Sequence, residues 1–207
     1  MSALSIYALK PRFQALLRPL AAALARGGAT ANQVTVAAAA ISLMLGAYVA
    51  WRAPDTGPFL LIPVWMFARM AMNALDGMLA REFGQQSRLG AYLNELCDVI
   101  SDAALYAPFA LIAPFAPGWV AAVIVLAVIS EFAGTLGLAI GVMRRYDGPM
   151  GKSDRAFAFG ALGLWIGLSG ALPSWVAWAM PLLAALLAIT IVNRVRHGLA
   201  EREGGGR

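Results

Sequence analysis

The chain has 207 residues, 60% of them hydrophobic and 13% charged, with a mean hydropathy of +0.70 and a formal net charge of +5 at pH 7. A soluble globular domain carries about twice that share of charge, so the composition excludes one and points to an integral membrane protein. The basic balance does not argue for nucleic acid, because there is no soluble domain to carry a basic face; in a membrane chain it reports on topology and on anionic head groups. The single cysteine, Cys97, excludes an intramolecular disulfide and a thiolate zinc cluster.

Residues 1–28 mix Leu4, Ile6, Leu9, Phe13, Leu16, Leu17 and Leu20 with Lys10, Arg12 and Arg18. These basic residues interrupt every apolar run, so no signal peptide is expected and the segment is read as a retained amphipathic helix lying in the cytoplasmic interface. Pro11 and Pro19 predict kinks or a break in it, and an irregular tail is the alternative.

Turn formers and charges fall at Gly27-Gly28, Ala53-Pro54-Asp55, Gly84 to Arg88, Pro114 to Pro117, Arg144 to Arg155 and Gly170 to Pro173. They delimit six apolar segments, at 31–52, 57–81, 88–114, 118–143, 155–171 and 173–195. Each is near the roughly 20 residues that cross a bilayer as a helix. The expected fold is all-α integral membrane, six transmembrane helices preceded by a cytoplasmic juxtamembrane amphipathic helix. It forms a single domain over 1–207, with the bundle at 29–196 and a cytoplasmic tail at 197–207.

Arg81, Arg88, Arg144, Arg145, Lys152, Arg155, Arg194 and Arg196 fall on the same side as the N-terminal basic residues, leaving Arg52 almost alone opposite. Both termini are therefore expected in the cytoplasm. The tryptophans, several at segment ends, suit an aromatic belt, and His197, among arginines, suits a solvated interfacial place.

Acids and amides interrupt the second and third segments. Spacings of three and four place Asn73, Asp76, Gly77 and Ala80 on one helix face, and Gly90, Asn94, Asp98 and Asp102 on another. A short loop joins the two, so the faces can converge and surround one point with oxygen ligands. Such a set selects Mg²⁺, Mn²⁺ or Ca²⁺ over zinc. Asp102 either adds a third charge there or pairs with Arg69 deeper in the bundle. Arg69 and Glu131 read as buried structural partners, even of each other, and Glu95 as facing a neighbouring helix or the interface. The loop from Arg144 to Arg155 reads as solvated topology or as phosphate binding.

The run Asn73, Asp76-Gly77, Ala80-Arg81, Gly90, Asn94, Asp98 resembles the CDP-alcohol phosphotransferase signature D-x2-D-G-x2-A-R-x8-G-x3-D-x3-D. Asp76, Gly77, Ala80, Arg81, Gly90 and Asp98 match in register, while Asn73 and Asn94 stand where the family has its first and third aspartates. The segment from Thr30 through Asn32 to Thr35 looks like the family's Pro-Asn-x-x-Thr, and Gly151-Lys152 like its phosphate-binding Gly-Lys.

The resemblance implies a homodimer in the inner membrane, with a cytoplasmic site that uses Mg²⁺ or Mn²⁺, a CDP-linked lipid donor and an alcohol acceptor. It implies Asp98 as the base and Asp76, Asp98, Asn73 and Asn94 around the metal, where Asp102, one turn on, joins them in the first of its two readings. Asp76, Gly77, Ala80, Arg81, Gly90 and Asn32 would meet the nucleotide, and Lys152, Arg155 and Arg144 phosphate or acceptor. Replacing two aspartates by asparagine halves the formal charge offered to cations from −4 to −2, while keeping carbonyl oxygens as ligands. The expected function is transfer of a phosphatidyl group from CDP-diacylglycerol to an alcohol with release of CMP. The alternatives are a non-catalytic relative that binds nucleotide-lipid or partners, and a small cation- or proton-coupled transporter.

Overall fold

The computed structural model describes the backbone of residues 6–204 and the side chains of 13–201. The first five residues of the expected interfacial helix and the last three of the expected tail lie outside that range. Among the described residues all regular structure is helical: α1 (Ile6–Arg26), α2 (Ala31–Arg52), α3 (Leu61–Glu82), α4 (Arg88–Tyr106), α5 (Pro117–Ala139), α6 (Lys152–Ser169) and α7 (Ala179–Gly204). Short 3-10 turns at Gly57–Leu60, Ala107–Leu111 and Ser174–Trp178 extend α3, α4 and α7 at their far ends.

The helix starts are chemically specified. Thr30 Oγ1 accepts from Gln33 N at 3.2 Å while Gln33 Oε1 accepts from Thr30 N at 2.9 Å, a reciprocal cap on α2. Ser87 Oγ accepts from Gly90 N at 2.9 Å to start α4, and Asp154 Oδ2 accepts from Gly151 N at 2.9 Å to start α6. The α6 helix stops at Gly170, whose φ of +70° suits glycine.

Pro11 and Pro19 do not break α1, contrary to expectation. Ala15 and Pro19 both lie on its exposed face, where the carbonyl that proline leaves without an N–H donor remains open to solvent or head groups. The opposite face packs on α3. Ala21 clusters with Leu75 and Met78, Phe13 meets Phe67 edge-on at 6.3 Å, and Arg18 Nε pairs with Glu82 at 3.1 Å.

Four helical segments are long and apolar enough to cross a membrane: Ala31–Arg52, Gly57–Glu82, Pro117–Ala139 and Ser174–Glu201. The α4 and α6 helices carry more charge, Arg88, Glu95, Asp98 and Asp102 in one and Lys152, Asp154 and Arg155 in the other. Most of these charges turn into the protein. The two helices pack against the apolar ones, α4 between α2 and α5, and α6 on α3. A core of Phe59, Tyr106, Phe109 and Phe159 ties the far half of the bundle. The Tyr106 and Phe159 rings stack at 3.8 Å, and Phe109 sits edge-on to Phe159 at 5.0 Å. The α2–α4 crossing is so close that a Cβ on Gly46 would collide with the Ala104 carbonyl. That carbonyl lacks its usual helical donor, since four residues on stands Pro108.

Trp51, Trp119, Trp175 and Trp178 are exposed at the far ends of their helices, while Trp65 is turned inward and donates to Ser42 Oγ at 2.8 Å. Helix α5 ends at Ala139, before the expected boundary at 143. The chain turns at Gly141, φ +80°, and folds back along α5, with Arg145 N donating to Gly134 O at 3.0 Å.

Candidate active site

The near end of the bundle is assembled by polar fastenings. Gln85, in the α3–α4 loop, accepts from Ala31 N at 2.7 Å and donates to Ala29 O at 3.2 Å, which fixes the start of α2 beside that loop. The returning loop after α5 is held to α7 where Met150 N donates to Thr190 Oγ1 at 3.0 Å and Arg194 Nε to Asp147 O at 3.3 Å. Lys152, the first residue of α6, is thereby placed against α4.

Asp76 and Asp98, from α3 and α4, stand at the centre. Asp76 is buried, and the Thr35 hydroxyl reaches its Oδ2 at 2.7 Å and Ala31 O at 3.0 Å; its single proton goes to the nearer, charged acceptor. Asp98 Oδ1 accepts from Arg69 Nη2 at 3.2 Å and from Asn73 Nδ2 at 3.4 Å, and its Oδ2 pairs with Lys152 Nζ. Asn73 is thus brought to the site as a bridge between the helices. Asn94 is exposed one turn before Asp98.

The glycines mark close approaches. The Arg81 guanidinium folds over Gly77, where a Cβ would lie 2.7 Å from Nη2, and the half-buried Ala80 sits on the same face. Asn32 lies against Gly90, where a Cβ would meet Asn32 Oδ1 at 2.8 Å. Asn32, Gly90, Gly77 and Arg81 therefore border the same end as the carboxylates.

Behind the site runs a buried chain of ion pairs. Arg69 Nη1 binds Asp102 Oδ1 at 2.5 Å, and Arg155 Nη2 binds Asp102 Oδ2 at 3.0 Å and Glu131 Oε1 at 3.0 Å. Glu131 Oε2 also meets Arg144 at 3.2 Å and Arg194 at 3.5 Å, and Arg144 pairs with Glu95 and lies over the Tyr146 ring. Of the two readings of Asp102, the geometry favours pairing with Arg69. Arg69 and Glu131 do not pair with each other; each binds a charge between them. Arg155 is 1% exposed and turned toward Asp102 and Glu131, away from any surface where a phosphate would arrive. Arg144 is likewise engaged.

Outside the helices, Asp147 accepts from Arg145 Nε at 2.8 Å and Nη2 at 3.0 Å and contacts the exposed His197 at 3.0 Å. The Arg145 hydrogen bonds hold the Asp147 carboxyl below its ordinary range, with a further contribution from His197.

Chemically, the donor set is all oxygen, which fits a hard cation such as Mg²⁺ or Mn²⁺. Asp76 in particular is a buried carboxylate whose partner is a neutral hydroxyl, a surrounding that a bound cation relieves. Among the described residues no group of three or more Asp, Glu, His or Cys side chains is placed to hold a metal ion, so a cation here would have to draw on carboxamides as well as carboxylates.

The profile of CDP-alcohol phosphatidyltransferases matches residues 29–192, a stretch that contains Asn32, Asn73, Asp76, Gly77, Arg81, Gly90, Asp98 and Lys152. The chain belongs to the CDP-alcohol phosphatidyltransferase family. Members are transferases of phospholipid biosynthesis.

The chain is 44% identical over 199 residues to inner membrane protein YnbA of Escherichia coli, covering 95% of this chain and 97% of that one. It is 34% identical over 113 residues to a phosphatidylinositol phosphate synthase of Mycobacteroides abscessus, covering 52% of this chain and 46% of the synthase. In fold it is similar to the phosphatidylinositol phosphate synthase of Mycobacterium tuberculosis. The likeness to its structure with CDP-DAG bound has a TM-score of 0.71 at 24% identity, covering 87% and 92% of the two chains. For its complex with manganese and citrate the TM-score is 0.73 at 23% identity, covering 87% and 88%.

Three side chains that shape this family member's site are given no contact with it in the sequence reading. Thr35 is separated from Asp76 by 41 positions, and only the packing of α2 on α3 joins them. Gln85 is an ordinary loop residue by sequence. Arg194, fully buried and donating to Ser130 O, reads as a topology marker at the end of a span.

Proposed function

We propose that the protein is a divalent-metal-dependent transferase that moves a phosphatidyl group from a CDP-linked lipid, CDP-diacylglycerol, to the hydroxyl of an alcohol acceptor, releasing CMP. The observation that carries this reading is the meeting of Asp76, Asn73 and Asp98 from α3 and α4 beside Lys152 of α6, within the family's matched region. A Mg²⁺ or Mn²⁺ held by Asp76, with the Asn73 carboxamide nearby, would supply positive charge against the donor's pyrophosphate.

Asn32, Gly77, Ala80, Arg81 and Gly90 form the nucleotide side, the glycines allowing close approach to backbone. Lys152 is the exchangeable cation. Its side chain is 34% exposed on a flexible stem, whereas Arg69 at 5% keeps its hold on Asp98 Oδ1. As Lys152 passes to a phosphate oxygen, Asp98 Oδ2 is freed to accept the acceptor's hydroxyl proton. The new bond joins that oxygen to the phosphorus of the phosphatidyl group; the bond from this phosphorus to the CMP oxygen breaks, and CMP leaves with the electron pair. Asp102 and Arg155, with Arg144, serve as struts that position Arg69 and the loop before α6.

In this reading α4 and α6 complete six spans, α1 lies in the cytoplasmic interface, and the Asp98 end faces the cytoplasm. The distribution of charge supports that orientation: the bases gather at this end and exposed tryptophans at the other. The reading carries with it the homodimer that the resemblance implies. Its test is CMP release by purified protein in nanodiscs given CDP-diacylglycerol, Mn²⁺ and a panel of alcohols. Release above an Asp98→Ala control is expected, and release no greater than that control overturns the proposal.

A further inference from the structure

We propose that this site takes one divalent ion, seated at Asp76, and that the Lys152 ammonium holds on Asp98 the position a second ion would need. The inference rests on the transfer reaction above only for the charge of the donor.

The two carboxylates have unlike surroundings. Both oxygens of Asp98 are engaged, Oδ2 by Lys152 and Oδ1 by Arg69 at 3.2 Å and Asn73 at 3.4 Å. Asp76 has no cationic side chain within salt-bridge distance among the described residues; its side-chain partner is the Thr35 hydroxyl at 2.7 Å, beside the backbone N–H of Gly77. An unpaired buried carboxylate is costly, so a divalent ion gains most at Asp76. On Asp98 the same ion would first have to displace an ammonium.

The charge total points the same way. Five bases, Arg69, Arg144, Lys152, Arg155 and Arg194, are joined by ion pairs to four acids, and Asp76 is the fifth acid. These ten side chains are therefore neutral as they stand, and Arg81 over Gly77 adds a positive charge beyond them. A pyrophosphate esterified at both ends brings two negative charges, which one divalent ion balances. A second ion would leave two uncompensated positive charges in a medium of low dielectric. Asn73 and Asn94 add oxygens there without adding charge to repay it. Lys152, anchored at the first turn of α6, delivers a single charge in place of two.

The experiment is a titration of the purified full chain with Mn²⁺ alone, followed by electron paramagnetic resonance and by metal analysis after dialysis. One Mn²⁺ per chain is expected, lost in Asp76→Asn. Lys152→Met is expected to bind Mn²⁺ about tenfold more tightly, because a nearby positive charge has been removed. Two ions in the unaltered chain, no bound ion, or unchanged or weaker binding in Lys152→Met would each overturn the inference. CMP release measured on the same preparations separates this result from the proposed reaction. Two ions with CMP release sink the inference alone, and one ion with no release sinks the reaction alone. Under both proposals Lys152→Met binds metal better yet turns over more slowly, a pairing that a merely structural lysine does not produce.

Discussion

Arg69 grips Asp98 twice, at the backbone carbonyl (3.0 Å) and at Oδ1 (3.2 Å), and so sets both the position of the α4 turn and the rotation of its carboxylate. The other terminal nitrogen of the same guanidinium is spent on Asp102 at 2.5 Å. A planar fork can serve both acids at once, and a lysine ammonium cannot.

Arg69→Met should therefore destabilise the protein by about 3–5 kcal/mol, since it removes one of the two cations that each of Asp98, in the site, and Asp102, behind it, now has. Arg69→Lys should fall between that and the unaltered chain. Adding Asp102→Asn to Arg69→Met should recover part of the loss by removing one under-neutralised buried charge. Thermal unfolding in detergent, followed by tryptophan fluorescence, reads all three; equal stability of Arg69→Met and the unaltered chain would show that the ion-pair chain does not hold α3 to α4.

The Gly46 backbone lies so near Ala104 that any side chain must push α2 and α4 apart. Gly46→Ala is expected to cost about 1–3 kcal/mol. Gly160 is the control: it is as well buried, but a Cβ there meets Met66 Sδ at 3.7 Å and Pro63 Cα and Cβ at 3.8 and 3.9 Å, ordinary contacts. Gly160→Ala should lie within about 0.5 kcal/mol of the unaltered chain, so the measurement is the difference between the two variants' unfolding midpoints.

At Gly90 the neighbouring atoms are Asn32 Oδ1 at 2.8 Å and Ser87 Oγ at 3.0 Å, both at the ends of side chains. Gly90→Ala should leave the fold in place while turning Asn32 aside. If Asn32 and Gly90 border the nucleotide, the KM for CDP-diacylglycerol should rise about tenfold, equivalent to about 1.4 kcal/mol of lost binding, with kcat less affected. A lowered kcat at unchanged KM would place this pair outside the nucleotide pocket.

Much of this fold is legible in the sequence because its punctuation is strong. The Gly27-Gly28 and Pro54-Asp55 breaks bracket α2 at the limits the helix adopts, 31 and 52. Boundaries drift where charge, not a breaker, was used to draw them. The α7 helix continues past Arg196 to Gly204 because arginine, leucine, alanine and glutamate are good helix formers. The third segment changes to a 3-10 turn at Ala107 because Pro108 cannot donate. Within the site, the face shared by Asn73 and Asp76 and that shared by Gly90 and Asp98 follow from helical spacing alone. Which acid meets which base does not. Asp102 to Arg155 and Glu131 to Arg194 depend on which helices are neighbours and on how they are rotated about their axes; the spacing within one helix does not give its neighbour, and α5 is apolar nearly all round, so periodicity leaves its rotation open.

The loop between α5 and α6 supplies the pH dependence. Asp147, hydrogen-bonded to Arg145 at 2.8 and 3.0 Å and touching His197, has its carboxyl held below the ordinary range in the folded protein. An unfolded aspartate titrates at about 3.9. The folded value being the lower one, Asp147 contributes its full stabilisation above that pH and loses it as pH falls toward and through the folded value. The same residue's carbonyl holds Arg194, so the local effect reaches the loop that presents Lys152. Amide hydrogen exchange of residues 141–151 should therefore be slow at neutral pH and accelerate below about pH 4, after correction for the intrinsic rate. Asp147→Asn should exchange faster at neutral pH and show a flatter response to acid. If that variant keeps the steep acid response of the unaltered chain, the charge that fastens this loop belongs to another carboxylate, with Glu201, on the other side of Arg145, the next to be replaced.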